Sequence, residues 1–179
     1  MIVFIDDIVI YSKNENDHEN ILRFSLKVLK EHKLYAKFIK CEFWLRSVAF
    51  LGHVITEKGV EVDPKKNDVV RNRLRPLTPT NIRSFLGLAG YYRRFFDGFS
   101  SIAYPLIALT QKKVKFEWLE ACGKGFQELK YKLTSALVLT LPNGNEVFVV
   151  YFDASRVVLG CVLMHHGKVI TYASGQLNS

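Results

Sequence analysis

The order of apolar and polar residues predicts strands near both ends of the chain and helices between them. Two apolar runs, residues 1–5 and 8–11, flank Asp6 and Asp7, which predicts a tight hairpin turning at the two aspartates. After residue 142 the apolar spacing becomes that of strands. It predicts an antiparallel meander over residues 147–152, 159–164 and 169–173.

Helices are predicted where apolar residues recur every three or four positions. Asn16 and Glu19 fit a capping box for a helix over residues 17–32. Residues 48–56 and 60–62 are predicted as two strands around a Lys58-Gly59 turn.

Three further helices follow the second predicted strand pair. Asp63-Pro64 suits a helix start that Pro76 terminates, and Thr78-Pro79 suits a second start with Gly90 as its stop. A third is predicted over residues 100–110, with Pro105 in or near its first turn.

The last helix has a regular apolar face, formed by Cys122, Phe126, Leu129 and Leu133. The elements together predict an α+β fold.

Composition narrows the class of protein. Of the 179 residues, 49% are hydrophobic, which is enough to build a core. No apolar run approaches the ~20 residues of a membrane span, so no membrane partner is predicted. Three widely separated cysteines form no disulfide framework, which fits a reducing, intracellular compartment without distinguishing cytoplasm from nucleus.

The net charge of +8 allows two interpretations. Basic residues recur between Arg23 and Lys40 and again between Lys65 and Arg75. Such runs either form a solvated surface or attract a polyanion such as nucleic acid.

Asp6 and Asp7 are the sharpest candidates for chemistry. Adjacent aspartates are commonly a solvated turn. Between apolar strands they would instead lie close together in a partly dry cleft, where a cation must compensate their charge. Mg²⁺ suits such oxygen ligands, and two such ions can serve a phosphoryl transfer.

Several motifs resemble, in order, the polymerase of Ty3/gypsy-type LTR retrotransposons. They are FIDDIVIYS at 4–12, LYAKF at 34–38, KCEF at 40–43, FLGHVI at 50–55, RSFLGLAGYYRRF at 83–95, YFDAS at 151–155 and YAS at 172–174. The resemblance covers essentially the whole chain. It implies a reverse-transcriptase palm and thumb remnant, a helical connection and a partial ribonuclease H-like antiparallel sheet.

The resemblance implies three segments. Residues 1–62 would be the last part of the palm with its primer-grip hairpin, 63–114 the thumb and connection helices, and 115–179 the first part of the ribonuclease H-like domain. The implied function is RNA-directed DNA synthesis with RNA-strand hydrolysis, using Mg²⁺ with Mn²⁺ as the alternative ion.

Carried over by position, the resemblance makes Asp6, Asp7 and Asp153 catalytic metal-binding carboxylates. The alternative for Asp153 is a strand-end residue that starts a turn with Ser155.

It also implies nucleic-acid contacts at Gly52 and His53 in the primer-grip hairpin. Independently of the resemblance, aromatics interleaved with paired arginines over residues 91–96 make Arg93 and Arg94 candidates for phosphate contacts. The alternative for Gly52 is a strand bulge. Beside the two arginines, the neighbouring aromatics either stack bases or belong to the core.

Both metal sites lack family carboxylates expected before residue 1 and after residue 179. The expected partners are therefore an RNA template, a DNA primer, an RNA–DNA hybrid and the missing polyprotein segments. We expect a polyprotein fragment that is inactive alone. The alternative is a non-catalytic nucleic-acid-binding remnant or a relic without function.

Overall fold

A computed structural model describes residues 1–12, 14–112, 114–142, 147–155 and 158–177. Within them it combines α-helices with three small antiparallel sheets, which confirms the α+β class. The chain forms two compact units, Met1–Arg46 and Ser47–Ser179. None of the helices in the described ranges is both long and apolar enough to cross a bilayer.

The first unit opens with the predicted hairpin, in a shifted register. Strands β1 (Ile2–Phe4) and β2 (Asp7–Val9) pair with Phe4 opposite Asp7. The turn is therefore Ile5-Asp6, and the prediction of an Asp6-Asp7 turn is wrong. Ile5 adopts a φ of 51°, and the pairing places Val9, the buried residue of the hairpin, opposite Ile2.

Helix α1 (Glu15–Glu31) begins earlier than predicted. Its N-cap is Asn14, whose side chain accepts from the Asp17 amide at 2.8 Å and donates to the Asp17 carboxylate at 2.7 Å. This pair satisfies first-turn donors. The predicted capping partner Glu19 instead accepts from Arg23. A 3₁₀ turn follows at Phe38–Lys40.

The second unit starts with a three-stranded meander of β3 (Ser47–Phe50), β4 (His53–Thr56) and β5 (Gly59–Val62). The single strand predicted over 48–56 is therefore wrong. Leu51 and Gly52 both have positive φ, 50° and 73°, which is the backbone of a two-residue type I′ turn.

Helices α2 (Pro64–Arg71) and α3 (Pro79–Tyr91) confirm the predicted starts. The Asp63 and Thr78 side chains accept from first-turn amides, and a proline follows each cap. Their predicted ends are wrong, because α2 stops well before Pro76 and α3 continues past Gly90.

Helices α4 (Phe99–Ala108) and α5 (Glu120–Thr134) follow a 3₁₀ turn at Arg93–Phe95. Pro105 was predicted in or near the first turn of this helix and lies six residues after the first residue of α4, Phe99. Its carbonyl accepts from the Cys122 thiol at 3.5 Å. The apolar face predicted for α5 is confirmed, since all four of its residues are buried.

The final sheet confirms the predicted antiparallel meander. Its strands are β6 (Val149–Ala154), β7 (Val158–His165) and β8 (Lys168–Gln176), in that order. His165 pairs with Lys168, so His166-Gly167 forms the turn between β7 and β8.

One buried cluster joins β5 to the helices of the second unit. Its members come from β5, from α2 to α5 and from the segment after α5: Val62, Val70, Ile82, Phe85, Ala89, Tyr92, Phe95, Phe96, Ala103, Leu106, Leu109, Cys122, Phe126, Leu129, Leu133 and Leu139. The core therefore crosses both predicted segment boundaries, 62/63 and 114/115. The division into palm, thumb and connection, and ribonuclease H-like segments stays a prediction. The two compact units of the structure divide between Arg46 and Ser47.

Candidate nucleic-acid interface and metal carboxylates

The Leu51–Gly52 turn lies beside the end of helix α3. Gly52 is needed there for two reasons. Its φ of +73° disfavours a side chain, and a Cβ on Gly52 would lie 2.8 Å from the Tyr92 hydroxyl oxygen. The absence of a side chain at Gly52 thus lets the turn approach a tyrosine of this chain closely. The alternative of a strand bulge is wrong, because Gly52 is a turn residue with regular pairing on both sides.

Two tyrosine hydroxyls bind the carbonyls of this turn. Tyr91 donates to the Leu51 carbonyl at 2.6 Å, and Tyr92 donates to the Gly52 carbonyl at 2.7 Å. The Gly52 carbonyl also accepts from the Asp63 amide at 3.2 Å. Burial, together with Tyr91 and Asp63, raises the pKa of Tyr92 to about 12, so its hydroxyl keeps its proton at neutral pH.

His53 is packed among aromatic rings. It stacks on Tyr91 with ring centroids 5.3 Å apart, stacks on Phe95 at 5.5 Å and meets the edge of Tyr92 at 5.4 Å. Burial, and secondly the positive charge of Arg94, lower the pKa of His53 below 6.5. Its buried Nδ1 has no hydrogen-bond partner among the described residues.

Arg93 and Arg94 are exposed on the 3₁₀ turn that follows α3. In the described part of the chain, neither arginine forms a salt bridge. The neighbouring Tyr92 and Phe95 are buried in the core, which confirms the alternative that assigned the aromatics to packing. Tyr91 is the exception, because it is half-exposed.

The predicted nucleic-acid residues are therefore brought together. Gly52 and His53 lie against the α3 end that precedes Arg93 and Arg94, and Arg94 is near enough to influence His53. The sequence did not indicate that Tyr91 and Tyr92 hold the turn. The only signal was two adjacent tyrosines at the end of a predicted helix, which is not specific.

The predicted metal carboxylates lie on strands in different places. Asp6 is exposed in the β1–β2 turn and Asp7 is exposed in β2. Asp153 is exposed within β6, opposite Gly160. Asp153 is not the last residue of its strand, since β6 continues to Ala154, and the Ser155 amide donates to the Val158 carbonyl at 2.9 Å.

Neither carboxylate position makes a complete metal site. Across the described ranges, no group of three or more His, Cys, Asp or Glu side chains could hold an ion. Mg²⁺ can be held by one or two carboxylates when water and phosphate complete its shell. Asp6 and Asp7 fit that smaller role, but these residues do not form a two-ion site by themselves.

Two family models match parts of the chain. Residues 1–55 match the reverse transcriptase (RNA-dependent DNA polymerase) model, and residues 118–179 match the RNase H-like domain found in reverse transcriptase. The two matches lie in the order that the motifs predict.

Curated relatives match nearly the whole chain. The Pol polyprotein of Drosophila melanogaster transposon 297 is 34% identical over 99% of this chain and 17% of the polyprotein. That of transposon gypsy is 33% identical over 98% of the chain and 18% of the polyprotein. The Transposon Tf2-3 polyprotein of Schizosaccharomyces pombe is 32% identical over 91% of this chain and 12% of that polyprotein. The chain thus spans less than a fifth of these relatives.

Solved structures agree with this assignment. The foamy viral protease-reverse transcriptase in complex with RNA/DNA hybrid matches with a TM-score of 0.83 and 27% identity, over 94% of this chain and 24% of that one. Its complex with double-stranded DNA matches with a TM-score of 0.78 and 28% identity, over 90% of this chain and 35% of that one.

The chain is a segment of a reverse transcriptase and ribonuclease H-like protein. It belongs to the Pol polyproteins of LTR retrotransposons, which confirms the predicted family. These matches do not favour the alternative of a remnant or relic.

Proposed function

We propose that this segment holds nucleic acid for RNA-directed DNA synthesis and RNA-strand hydrolysis by the whole polyprotein. The Leu51–Gly52 turn with His53, Arg93 and Arg94 forms the contact surface, here called the turn–arginine surface. Asp6 and Asp7 contribute to the polymerase metal site, and Asp153 contributes to the ribonuclease H metal site.

The observation that carries this proposal is the contact of the turn with the end of α3, which leads directly into Arg93 and Arg94. Neither arginine forms a salt bridge with another described residue. A rigid turn offers fixed backbone groups, and exposed guanidinium groups bind phosphate oxygens. The net charge of +8 gives the chain a general attraction to a polyanion. The similar foamy viral enzyme has been solved with an RNA/DNA hybrid and with double-stranded DNA, so these duplexes are the ligands we propose.

The proposed cofactor is Mg²⁺, with Mn²⁺ as the alternative ion. When bound, such ions stabilise the attacking and leaving oxygens of a phosphoryl transfer. Asp6 and Asp7 would supply oxygen ligands on one hairpin, and Asp153 would supply one on β6. Other segments of the polyprotein would complete both ligand sets.

Exposed apolar strands support a role for those other segments. Phe4 and Ile5 in the first hairpin and Phe152 in β6 are exposed. Apolar strand edges are normally covered or paired. We infer that further polyprotein segments pack against them.

The test is a fluorescence-anisotropy titration of the 179-residue chain with a labelled RNA–DNA hybrid and a matched DNA duplex at several salt concentrations. We expect binding to the hybrid at least as tight as to the DNA duplex, with affinity falling steeply as salt rises. Replacing both Arg93 and Arg94 with alanine should weaken binding to both duplexes and reduce the salt slope by about one unit per lost contact.

The charge-matched control is Lys112→Ala with Lys115→Ala, which removes two exposed positive charges from the segment between α4 and α5. Like the two arginines, these lysines form no salt bridge with another described residue. This control should weaken binding less and leave the slope closer to that of the wild type. Asp6→Asn should leave affinity unchanged or slightly improved, because it removes a negative charge. Absence of binding at low salt by a folded sample would contradict the proposal.

A further inference from the structure

We propose that Tyr91 and Tyr92 are positioning residues that fix the Leu51–Gly52 turn in the orientation in which it holds nucleic acid. The proposal rests on the function proposed above for that turn. It assigns a role to two hydroxyl groups that need not touch the nucleic acid themselves.

The two hydroxyls act on consecutive peptide groups. Tyr91 binds the Leu51 carbonyl at 2.6 Å and Tyr92 binds the Gly52 carbonyl at 2.7 Å, each across 40 residues of chain. A peptide unit is planar, and these bonds are trans. Fixing the Leu51 carbonyl therefore also fixes the direction of the Gly52 N–H, which lies in the same plane and points the opposite way.

The pair connects the turn to the core of the second unit. Tyr92 is 1% exposed and belongs to the buried cluster, whereas Tyr91 is 51% exposed. Their rings meet at 90° with centroids 5.0 Å apart. Tyr92 anchors the turn to the core, and Tyr91 extends the same support to the surface.

The backbone of the turn explains why such support is needed. Leu51 holds a positive φ of 50° although it is not glycine. Isolated, this conformation is unfavourable for a residue with a Cβ. The tyrosine hydrogen bonds offset that cost and reduce the number of turn conformations that compete with the one shown.

The experiment compares three variants with one control. The variants are Tyr91→Phe, Tyr92→Phe and the two substitutions combined, and the control is Tyr104→Phe. Tyr104 is a matched control, since it is a half-exposed tyrosine on α4 with no contact to the turn among those described. Each variant removes only a hydroxyl. We expect Tyr91→Phe and Tyr92→Phe each to weaken binding of a labelled RNA–DNA hybrid by about threefold to tenfold, the effect of one hydrogen bond.

Four readouts separate positioning from general loss of stability or charge. The salt slope should stay at the wild-type value, because no phosphate contact is removed. Amide hydrogen exchange of Gly52 and His53 should accelerate, and the His53 ring resonance should shift, since that ring stacks on Tyr91. Tyr91→Phe should leave the melting temperature nearly unchanged, because water can reach the half-exposed site.

Three results would overturn the proposal, and they differ in whether the proposed function falls with it. Unchanged exchange at Gly52 and His53 in both variants would show that the hydroxyls do not fix the turn. Faster exchange with hybrid binding equal to that of Tyr104→Phe would show that turn order does not matter for binding, while the proposed function would stand. Wild-type protein that folds but fails to bind the hybrid would overturn both.

Discussion

His53 is part of an aromatic cluster, and the fold disfavours protonation of its imidazole ring. Its ring is packed against Tyr91, Tyr92 and Phe95, and it lies near Arg94. Burial and that guanidinium lower its pKa, so the folded state takes up a proton less readily than the unfolded state does. The stability that follows from this difference is fully present above about pH 6.5, the unfolded pKa. It decreases as the pH falls from there toward the lowered folded pKa.

We therefore expect the free energy of unfolding of the second unit to decrease as the pH falls below about 6.5. His53→Phe keeps a ring in the cluster and removes the titrating group, so its unfolding free energy should depend less on pH in this window. Urea unfolding monitored between pH 7.5 and 5.5 measures both. Equal pH dependence in the two proteins would show that burial of His53 does not couple to stability.

At the residue scale, the sequence predicted the members of the turn–arginine surface but not what holds it together. Gly52, His53, Arg93 and Arg94 stood in recognisable motifs. A hydroxyl–carbonyl bond across 40 residues leaves no periodic trace, so the roles of Tyr91 and Tyr92 required coordinates.

The segment after α5 shows how single residues join two sheets. Val60 and Leu139 exchange backbone hydrogen bonds at 2.8 and 2.9 Å, and the Thr140 amide donates to the Val169 carbonyl at 2.8 Å. Residues 139–140 thereby tie β5 to β8. The close approach requires Gly59, whose φ is +141° and whose Cβ position would lie 2.0 Å from the Leu139 carbonyl oxygen.

Gly59→Ala should destabilise the second unit by about 2 kcal/mol or more, because it adds both backbone strain and a steric clash. The matched control is Gly175→Ala in β8, where an added Cβ meets no atom within 4 Å. That change should alter stability by less than about 0.5 kcal/mol. Chemical unfolding of both variants is the measurement. Similar midpoints would show that the Val60–Leu139 bridge can accommodate the added Cβ without loss of stability.

Element starts were more predictable than element ends. Asp63 and Thr78 cap their helices as expected, because a side-chain acceptor before a proline is a local signal. The break at Leu51–Gly52 and the Val60–Leu139 bridge depend on partners distant in sequence. Pro105 lies inside α4, where its carbonyl accepts from the Cys122 thiol of α5, a contact that its local preference does not predict.

For the whole molecule, the positions of the proposed metal carboxylates predict what the 179 residues can do alone. Asp6 and Asp7 occupy one hairpin and Asp153 another strand, and no group of three potential ligands occurs in the part of the chain described. We expect the isolated chain to give no primer extension on an RNA template and no cleavage of an RNA–DNA hybrid in Mg²⁺ or Mn²⁺. Denaturing gels with labelled primer and labelled RNA would measure the two activities.

Product in either assay would need a residue-specific control. Primer extension that disappears in Asp6→Asn, or hybrid cleavage that disappears in Asp153→Asn, would show that these carboxylates suffice without other polyprotein segments. Activity unaffected by either substitution would point to a contaminating enzyme.

The family and α+β class could be predicted from ordered motifs, because the polymerase and ribonuclease H-like segments each retain local signatures. The division at Arg46/Ser47 could not, because it depends on which elements share a core. Val62 and Leu139 come from different predicted segments and are buried in the same cluster.

The most direct measurement of the central claim is amide hydrogen exchange of the chain with and without an RNA–DNA hybrid, read by mass spectrometry at peptide resolution. The account predicts that the hybrid slows exchange in peptides containing Leu51–His53 and Arg93–Arg94. Peptides around Trp118 and Lys124 should change little. Protection confined to the basic segments 23–40 and 65–75, with none at the turn–arginine surface, would contradict it.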